Sequence, residues 1–197
     1  MRHLQYYAHK SFPRQRAFLK LNRICVEYSM NRMSSLKLRR AKLEDVPEMQ
    51  QLFVETIRVV CRCDYTTEQI RAWLSGAQNE ERWNQLINQQ YCLLGELDNV
   101  IVGFGSLAGG SYLDFLYVHK DYQGHGFANA IVDALLAEAL RAGVVQVTAH
   151  VSKTARGFFE HRGFAEVREN RKIVQGVEMV NYEMAVDLQP QSYVLSN

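Results

Sequence analysis

The chain has the sequence VHKDYQGHGFA at residues 118–128, where an apolar strand pattern ends and a long amphipathic helix begins. The backbone N–H groups in the first turn of a helix have no intrahelical acceptor, and the helix dipole adds positive partial charge at that end. Because Gly124 and Gly126 have no Cβ, phosphate oxygens can approach the loop backbone closely. The segment therefore predicts a binding site for a phosphate-bearing ligand.

Two widespread phosphate-binding loops do not fit this segment. It lacks the Lys-Ser/Thr pair of a Walker loop and the three-glycine spacing of the dinucleotide-binding fingerprint. The remaining pattern, Q-x-x-G-x-A at residues 123–128, resembles the pyrophosphate-binding motif Q/R-x-x-G-x-G/A of the GNAT N-acetyltransferase superfamily. The resemblance implies that acetyl-coenzyme A is the acyl-donor substrate and that its diphosphate is held by Gln123, Gly124, His125, Gly126, Phe127 and Ala128.

Hydrophobic periodicity gives the order of the elements from Leu36 to Leu188. It predicts a strand, a group of helices, a three-strand meander, a long helix, a strand, a short helix and two final strands. A strand-helix-strand unit requires parallel pairing, and the same element order is found in the GNAT superfamily. The predicted fold class is α/β, with a mixed, mostly antiparallel sheet flanked by helices. The resemblance implies a central parallel strand pair that splays apart.

Local signals place the predicted elements. Asp45 with Glu48 suggests a capping pair for a first helix ending near Val60, and Thr66 with Gln69 suggests a capping box for a second. The remaining predictions are a helix at 81–88, strands at 91–96, 100–108 and 112–118, a long helix at 124–141, a strand at 144–151 and a helix at 154–161.

A second motif lies near the C-terminus. Residues 155–164, A-x-x-F-F-E-x-x-G-F, resemble the A-x-x-F-Y-E-x-x-G-F segment of the same superfamily. Many members use its tyrosine to protonate the departing thiolate, and that position is Phe159 here, which has no proton to donate. General acid assistance is typically worth 10²–10⁴-fold, and a thiol with a pKa of about 8.5 leaves tolerably without it. The departure therefore predicts slower turnover and still allows catalysis.

The resemblance also implies contacts to the pantetheine arm of the donor. Val118 supplies backbone groups where the central strands part, with Tyr117 beside it. The asparagine that often holds the arm is Ser152 here, so that contact is weaker or differently made. Phe159 is also expected to contact the donor.

A free amine must lose a proton before it attacks a thioester, because an alkylammonium with a pKa of about 10 has no lone pair at neutral pH. Strand alternation predicts Asp114, Leu116 and Val118 on one face, and Asp114 is the first candidate for the base. An ion pair is the alternative role of Asp114. His119, in the loop after that strand, and Glu96, at the end of an earlier strand, are the substitutes.

The other histidines have structural explanations. His125 lies in the phosphate loop as a solvated residue or as an aid to anion binding, and His150 and His161 are interpreted as structural. Asp64-Tyr65-Thr66-Thr67-Glu68-Gln69 with Trp73 resembles a branch of poorly characterised bacterial acetyltransferases. Tyr65 and Trp73 are therefore either walls of an acceptor pocket or ordinary capping and core residues.

Composition limits the remaining classes of function. The 197 residues carry a net charge of +2, and no uncharged run is long enough for a membrane span. The four cysteines, Cys25, Cys61, Cys63 and Cys92, have no metal-ligand or redox spacing, which favours buried thiols, no metal site and a reducing, cytoplasmic location.

The first 33 residues are distinct, with seven basic residues against Glu27 alone, so the remainder of the chain carries −4. They form a basic N-terminal extension, which is interpreted as a disordered arm, a targeting segment, a nucleic-acid contact or an artefact of a start that belongs at Met30 or Met33. Residues 34–188 form the predicted acetyltransferase domain, and 189–197 a C-terminal tail.

The sequence thus predicts an enzyme that moves an acetyl group directly from acetyl-coenzyme A to a primary amine of a small molecule or peptide. The alternative is a noncatalytic acyl-coenzyme-A-binding or sensing module, favoured by Phe159. A nucleic-acid-binding role for the basic extension ranks last. No membrane partner is expected, and a homodimer is compatible with the sequence.

Overall fold

The computed structural model describes residues 35–188, so the predicted basic extension, Cys25, and the tail at 189–197 lie outside the described residues. The strands are β1 (Lys37–Arg40), β2 (Tyr91–Leu97), β3 (Val100–Ala108), β4 (Tyr112–Val118), β5 (Gln146–Ser152), β6 (Ala165–Val174) and β7 (Val177–Asp187). The helices are α1 (Val46–Val60), α2 (Thr67–Leu74), α3 (Glu80–Gln89), α4 (Phe127–Arg141) and α5 (Arg156–His161).

All seven strands form one sheet in the order β1-β2-β3-β4-β5-β7-β6. Every neighbouring pair is antiparallel except β4 and β5, which are parallel and joined through α4. The β4–β5 pairing comprises Tyr112 with Thr148 and Leu113 with Ala149, and it ends there. The rest of the two strands diverges, which confirms the predicted fold class and its splayed central pair.

Apolar side chains cover both faces of the sheet. On one face α4 buries Ile131, Val132 and Leu135 against strand residues such as Leu113 and Val147. On the other face α1 and α3 pack Met49, Phe53, Ile57, Trp83 and Leu86 against the aromatic side chains of β3 and β4. The sheet is thus held on both sides, and the gap between β4 and β5 opens between two packed layers.

The capping predictions had different outcomes. The Thr66–Gln69 box is confirmed, with the Gln69 N–H donating to Thr66 Oγ1 and the Thr66 N–H donating to Gln69 Oε1. The Asp45–Glu48 pair is wrong. Asp45 instead accepts from the Lys42 N–H and from Arg39, while Glu48 accepts from the Ile101 N–H on β3. Asp45 is thus bonded to residues that precede the helix, and Glu48 to a strand far away in the sequence.

The predicted face of Asp114 is also wrong, because β4 carries a bulge. Leu113 pairs with Leu107 and Phe115 pairs with Ser106, which leaves Asp114 as the extra residue. A bulge adds one residue to a strand and so reverses its side-chain alternation. Leu116 and Val118 consequently pack on the α4 face, whereas Asp114 contacts Arg82 and Gln90 on the α3 side.

Candidate active site

A groove of about 270 Å³ lies where β4 and β5 part, and we call it the donor groove. Its lining comes from β4, β5, the end of α1 and the residue after it, α2, the loop before α4, the start of α4, and α5 with the loop before it. Of the predicted donor-binding residues, Tyr117, Val118, Gln123, Ala128, Ser152 and Phe159 line it. The structure therefore brings together residues that the sequence separates by more than 40 positions.

The glycine loop precedes α4 between Gln123 and Ala128, which line the donor groove. Gly124, His125, Gly126 and Phe127 are not among the lining residues. Gly124 and Gly126 have φ angles of +74° and +84°, in the left-handed region that favours glycine. The helix accordingly begins at Phe127, three residues later than predicted, and its first backbone bond runs from the Ala130 N–H to the Gly126 carbonyl at 3.1 Å. Because Gly126 has no side chain to cap the helix, the N–H groups of residues 127–129 are left for a ligand.

The Val118 peptide is oriented by two side chains. Its carbonyl accepts from the Thr56 hydroxyl at 3.0 Å and from the Gln123 amide at 2.5 Å. Thr56 was missed by sequence reasoning, although a hydroxyl within the apolar stripe of α1 was a visible signal. Thr56 is buried, so its hydroxyl requires a partner, and Val118 provides one.

The C-terminal motif supplies the opposite wall of the groove. Phe159 is buried, in edge-to-face contact with Phe158 and Phe164, and it also lines the groove. The Ser152 hydroxyl accepts from the Ala155 N–H at 3.2 Å, which leaves its own proton free for the groove. Phe159 thus presents an apolar surface to the groove, and Ser152 presents a hydroxyl donor.

A second cavity, of about 360 Å³, lies beside the donor groove on the α2–α3 side of the sheet, and we call it the acceptor cavity. Seven of its twenty lining residues are Phe, Tyr or Trp, and they include Tyr65 and Trp73, whose rings meet edge-to-face with centroids 5.2 Å apart. The Tyr65 hydroxyl also accepts from the Lys153 N–H at 2.8 Å. Both aromatic residues therefore line the cavity while they hold neighbouring segments together.

The two cavities share five lining residues: Trp73, Asp114, Tyr117, His150 and Ser152. We call this set the junction. It lies just beyond the Leu113–Ala149 pair, where the β4–β5 pairing ends. The two cavities therefore meet at these side chains.

Asp114 enters the junction as a bonded carboxylate. Its Oδ1 accepts from Arg82 Nη2 and its Oδ2 from Gln90 Nε2, both at 2.7 Å, and its side chain is 6% exposed. The ion pair that the sequence analysis gave as the alternative role of Asp114 is therefore present, with Arg82 as its partner. The carboxylate also lines both cavities, so the structure supports a part in binding as well as in ion pairing.

His150 was interpreted as structural from the sequence, yet its side chain lines both cavities and is 44% exposed. Its ring meets Tyr112 edge-to-face at 5.5 Å, and its Nε2 lies 4.0 Å from Glu183 Oε2. The sequence contained a signal. In β5 the polar residues Thr148, His150 and Ser152 alternate with buried Val147, Ala149 and Val151, which places a polar face toward the gap.

The two other base candidates lie elsewhere. His119 lines neither cavity; its Nε2 lies 3.5 Å from Glu55, and its Nδ1 accepts from the Asp121 N–H. Glu96 bonds to Arg39 at 2.8 Å and also lines neither cavity. His125, in the glycine loop, contacts the Gln123 carbonyl through Nδ1 at 2.8 Å. The geometry therefore favours the junction residues over His119 and Glu96.

Burial controls the ionisation of the hydroxyls and thiols near the site. It raises the pKa of Tyr117 well above its ordinary value, and that of Tyr65 to about 12. It also raises the pKa of the Cys61 thiol, which lines the donor groove, and that of Cys92 to about 12. All four groups are neutral at physiological pH. Cys61 and Cys92 are buried as predicted, whereas Cys63 is exposed.

Comparison with known proteins identifies the class. The family model described as acetyltransferase (GNAT) domain matches residues 61–186, and the chain belongs to this family. This confirms the predicted family and enzyme class. Acetyl-coenzyme A, the acyl donor of the family, is accordingly the donor expected from the glycine loop.

Individual relatives agree with this assignment. The chain is 27% identical over 153 residues to the uncharacterised N-acetyltransferase YafP of Escherichia coli K12, covering 77% of this chain and 96% of that protein. A GCN5-related N-acetyltransferase from Rhodopseudomonas palustris is 33% identical, with a TM-score of 0.75 over 78% of this chain and 96% of its own. The PaiA N-acetyltransferase of Thermoplasma acidophilum, solved with coenzyme A, shares the fold at a TM-score of 0.61 and 16% identity, over 78% and 99% of the two chains.

Among residues 35–188, no helix has both the length and the apolar character that a membrane crossing requires.

Proposed function

We propose that this protein transfers an acetyl group from acetyl-coenzyme A directly to a primary amine of a small molecule or peptide. The observation that supports this proposal is the junction, where a donor groove and an acceptor cavity share Trp73, Asp114, Tyr117, His150 and Ser152. Direct transfer requires both substrates at one point, and the junction supplies that point.

The donor side acts by positioning. The N–H groups at the start of α4 bind the diphosphate, and the apolar surface of Phe159 and the oriented peptide of Val118 hold the pantetheine arm. The thioester carbonyl then reaches the junction. No covalent bond to the enzyme is needed, because the amine itself is the nucleophile.

The acceptor side prepares the amine. The acceptor enters as an ammonium, which the Asp114 carboxylate attracts, and His150 removes one proton from it, directly or through a water molecule. Imidazole is the side chain that most often accepts a proton near neutral pH. The freed nitrogen lone pair attacks the thioester carbon, the C–S bond breaks, and coenzyme A leaves as a thiolate. The nitrogen releases its second proton to solvent as the amide forms.

Tyr117 stabilises the departing thiolate without giving up its proton. Its pKa is raised far above the value of about 8.5 for a thiol, so complete transfer of the phenol proton to sulfur is unfavourable. A hydrogen bond from the neutral phenol remains available, and water supplies the proton that reaches sulfur. Tyr117 thereby supplies part of the thiolate stabilisation that a tyrosine at position 159 would give and that Phe159 cannot.

The experiment is a thiol-release assay with acetyl-coenzyme A and a panel of primary amines, combined with calorimetric titration of acetyl-coenzyme A. Binding of the donor together with amine-dependent thiol release and an acetylated amine in the mass spectrum supports the proposal. Donor binding with no turnover on any amine would contradict it and favour the sensing module. Absence of donor binding would contradict both functions.

A further inference from the structure

The acceptor cavity has an excess of positive charge among its lining residues. Arg82 projects from α3 and Lys172 from β6, and Asp114 is the one carboxylate among the residues that line the cavity. Asp114 already pairs with Arg82. A ligand that carries only a positive charge would leave this excess uncompensated, whereas a ligand that also carries a negative charge would neutralise it.

Arg82 has unused hydrogen-bonding capacity that faces the cavity. Its Nη2 donates to Asp114, and its guanidinium lies 4.9 Å from the centre of the Phe115 ring. A guanidinium has five N–H donors, and the bond to Asp114 is the one side-chain bond that it makes within residues 35–188. The remaining donors have the fork geometry that binds a carboxylate in a bidentate manner.

Two further polar groups face the same cavity from the β6–β7 side. Lys172 makes no ion pair with the part of the chain that the structure describes, and it lines the cavity. Asn181 also lines the cavity, and its buried Oδ1 has no hydrogen-bond partner within that part of the chain. This oxygen can only accept a hydrogen bond, so an N–H or O–H group of a substrate would satisfy it, whereas a carboxylate would not.

The positions of the charges define an orientation. Asp114 belongs to the junction, whereas Arg82 lines the acceptor cavity alone. An amine next to Asp114 therefore lies at the point of transfer, and a negative group bound to Arg82 lies further from the donor. The Asp114–Arg82 pair, with 2.7 Å between Oδ1 and Nη2, presents opposite charges side by side, which matches a small zwitterion.

We infer that the acceptor is an amino carboxylate of the size of a free amino acid, whose amine lies at Asp114 and whose carboxylate is bound by Arg82, with Lys172 adding positive charge. The aromatic walls receive the amino acid side chain. The inference rests on the proposed acetyltransferase activity and names the substrate class of the same site.

The first test compares matched amines on the unmodified protein. Each set contains an amino acid, its carboxamide and its decarboxylated amine: L-phenylalanine, L-phenylalaninamide and 2-phenylethylamine, with equivalent sets for leucine and serine. We expect kcat/KM for at least one amino acid to exceed that of both partners by about tenfold, as for hydrogen bonds to a charged group. The carboxamide is a stringent control, because an α-amino group beside an amide has a pKa of about 7.7–8.0 and is more often unprotonated.

Variants then locate the carboxylate site. In Arg82→Gln the preference for the amino acid over its carboxamide should fall by about tenfold, and Lys172→Gln should lower it by a few fold. The matched control is Arg71→Gln, which removes an exposed arginine of α2 outside both cavities and should leave the preference unchanged. A merely structural effect of Arg82 on Asp114 would lower both rates equally and leave the ratio of the two rates intact.

Several results would overturn the inference. They are an equal or higher kcat/KM for the carboxamide or the decarboxylated amine, an unchanged ratio in Arg82→Gln, or turnover confined to amines outside these sets. In each of these cases amine acetylation still occurs and the proposed function stands. Lack of thiol release with every amine would instead contradict the proposed function, and the inference with it.

Discussion

The donor groove and the acceptor cavity are built from different parts of the chain. The donor groove combines side chains such as Phe158 and Phe159 with backbone features, which are the gap between β4 and β5 and the glycine loop with the free amides at the start of α4. The acceptor cavity depends on side chains contributed by α1, α2, α3 and four strands. A site made of backbone binds a ligand common to a whole family, whereas a site made of side chains can change its ligand through a few substitutions. We therefore expect substitutions in the two cavities to affect different kinetic constants.

The largest effect is expected at the junction on the acceptor side. His150→Gln should lower kcat/KM by about 10²–10⁴-fold, the usual contribution of a positioned proton acceptor, and should leave the Kd of acetyl-coenzyme A unchanged. Steady-state rates across a pH series and calorimetry provide the measurements. A loss below threefold would place the base elsewhere and leave Asp114 as the remaining candidate.

A matched control for this variant is His161→Gln. His161 is exposed, contacts the Gly157 carbonyl through Nδ1 and lines neither cavity. Its substitution should leave kcat/KM within twofold. A comparable loss in both variants would show that the effect of His150→Gln comes from the fold and not from the junction.

The second effect belongs to the donor groove. Gly124→Ala should raise the Kd of acetyl-coenzyme A by about tenfold, because the added methyl group lies where phosphate oxygens approach and the left-handed φ of +74° costs an alanine about 1 kcal/mol. Calorimetric titration measures the change. The acceptor KM, taken at saturating donor, should stay the same if the two cavities are independent.

The control for Gly124 lies just past the other end of α4. Gly143 has a φ of +78° and, like Gly124, nothing within 4 Å of an added Cβ. Gly143→Ala should therefore cost the same stability in urea denaturation while leaving donor affinity unchanged. Equal losses of affinity in both variants would refute phosphate binding by the loop.

The same contrast explains what could be predicted from the sequence. The glycine loop and the element order followed from residues close together in the chain, because local spacing determines backbone geometry. The splayed strand pair was implied by the resemblance to the family. The acceptor side could not be placed in this way. The bulge at Asp114 reverses the alternation of β4, and the pairing register that creates it involves β3, which no local pattern in β4 reveals. His150 and Thr56 similarly acquire their partners from distant segments.

A third, smaller effect is expected at Tyr117, which lines both cavities and so tests whether they are separable. Tyr117→Phe removes the hydroxyl and keeps the ring among Phe53, Phe104 and Phe115. We expect kcat to fall about fivefold to tenfold with little change in either substrate constant, because a hydrogen bond to the developing thiolate is lost. Donors with more acidic thiol leaving groups should reduce the difference between the variant and the unmodified protein. An undiminished rate in Tyr117→Phe would exclude this hydrogen bond.

The smallest effect is expected at Asp45, which lies outside both cavities. Like Asp114, it is bonded to an arginine. Arg39 bonds to Asp45 through two nitrogens at 2.7 Å, and this contact lowers the pKa of Asp45. A carboxylate whose pKa is lowered by folding contributes stability above the ordinary aspartate pKa of about 3.9 and loses it as the pH falls through the folded value. Asp45→Asn should therefore reduce the free energy of unfolding at pH 7 by about 1 kcal/mol, and the difference in stability between the variant and the unmodified protein should narrow below pH 4. Urea denaturation across this pH range measures the free energy of unfolding.

The control is activity. Because Asp45 lines neither cavity, kcat/KM should not change in Asp45→Asn. A change in the KM of either substrate would mean that the ion pair at β1 affects the junction, and it would contradict the expectation that Asp45 contributes to stability alone.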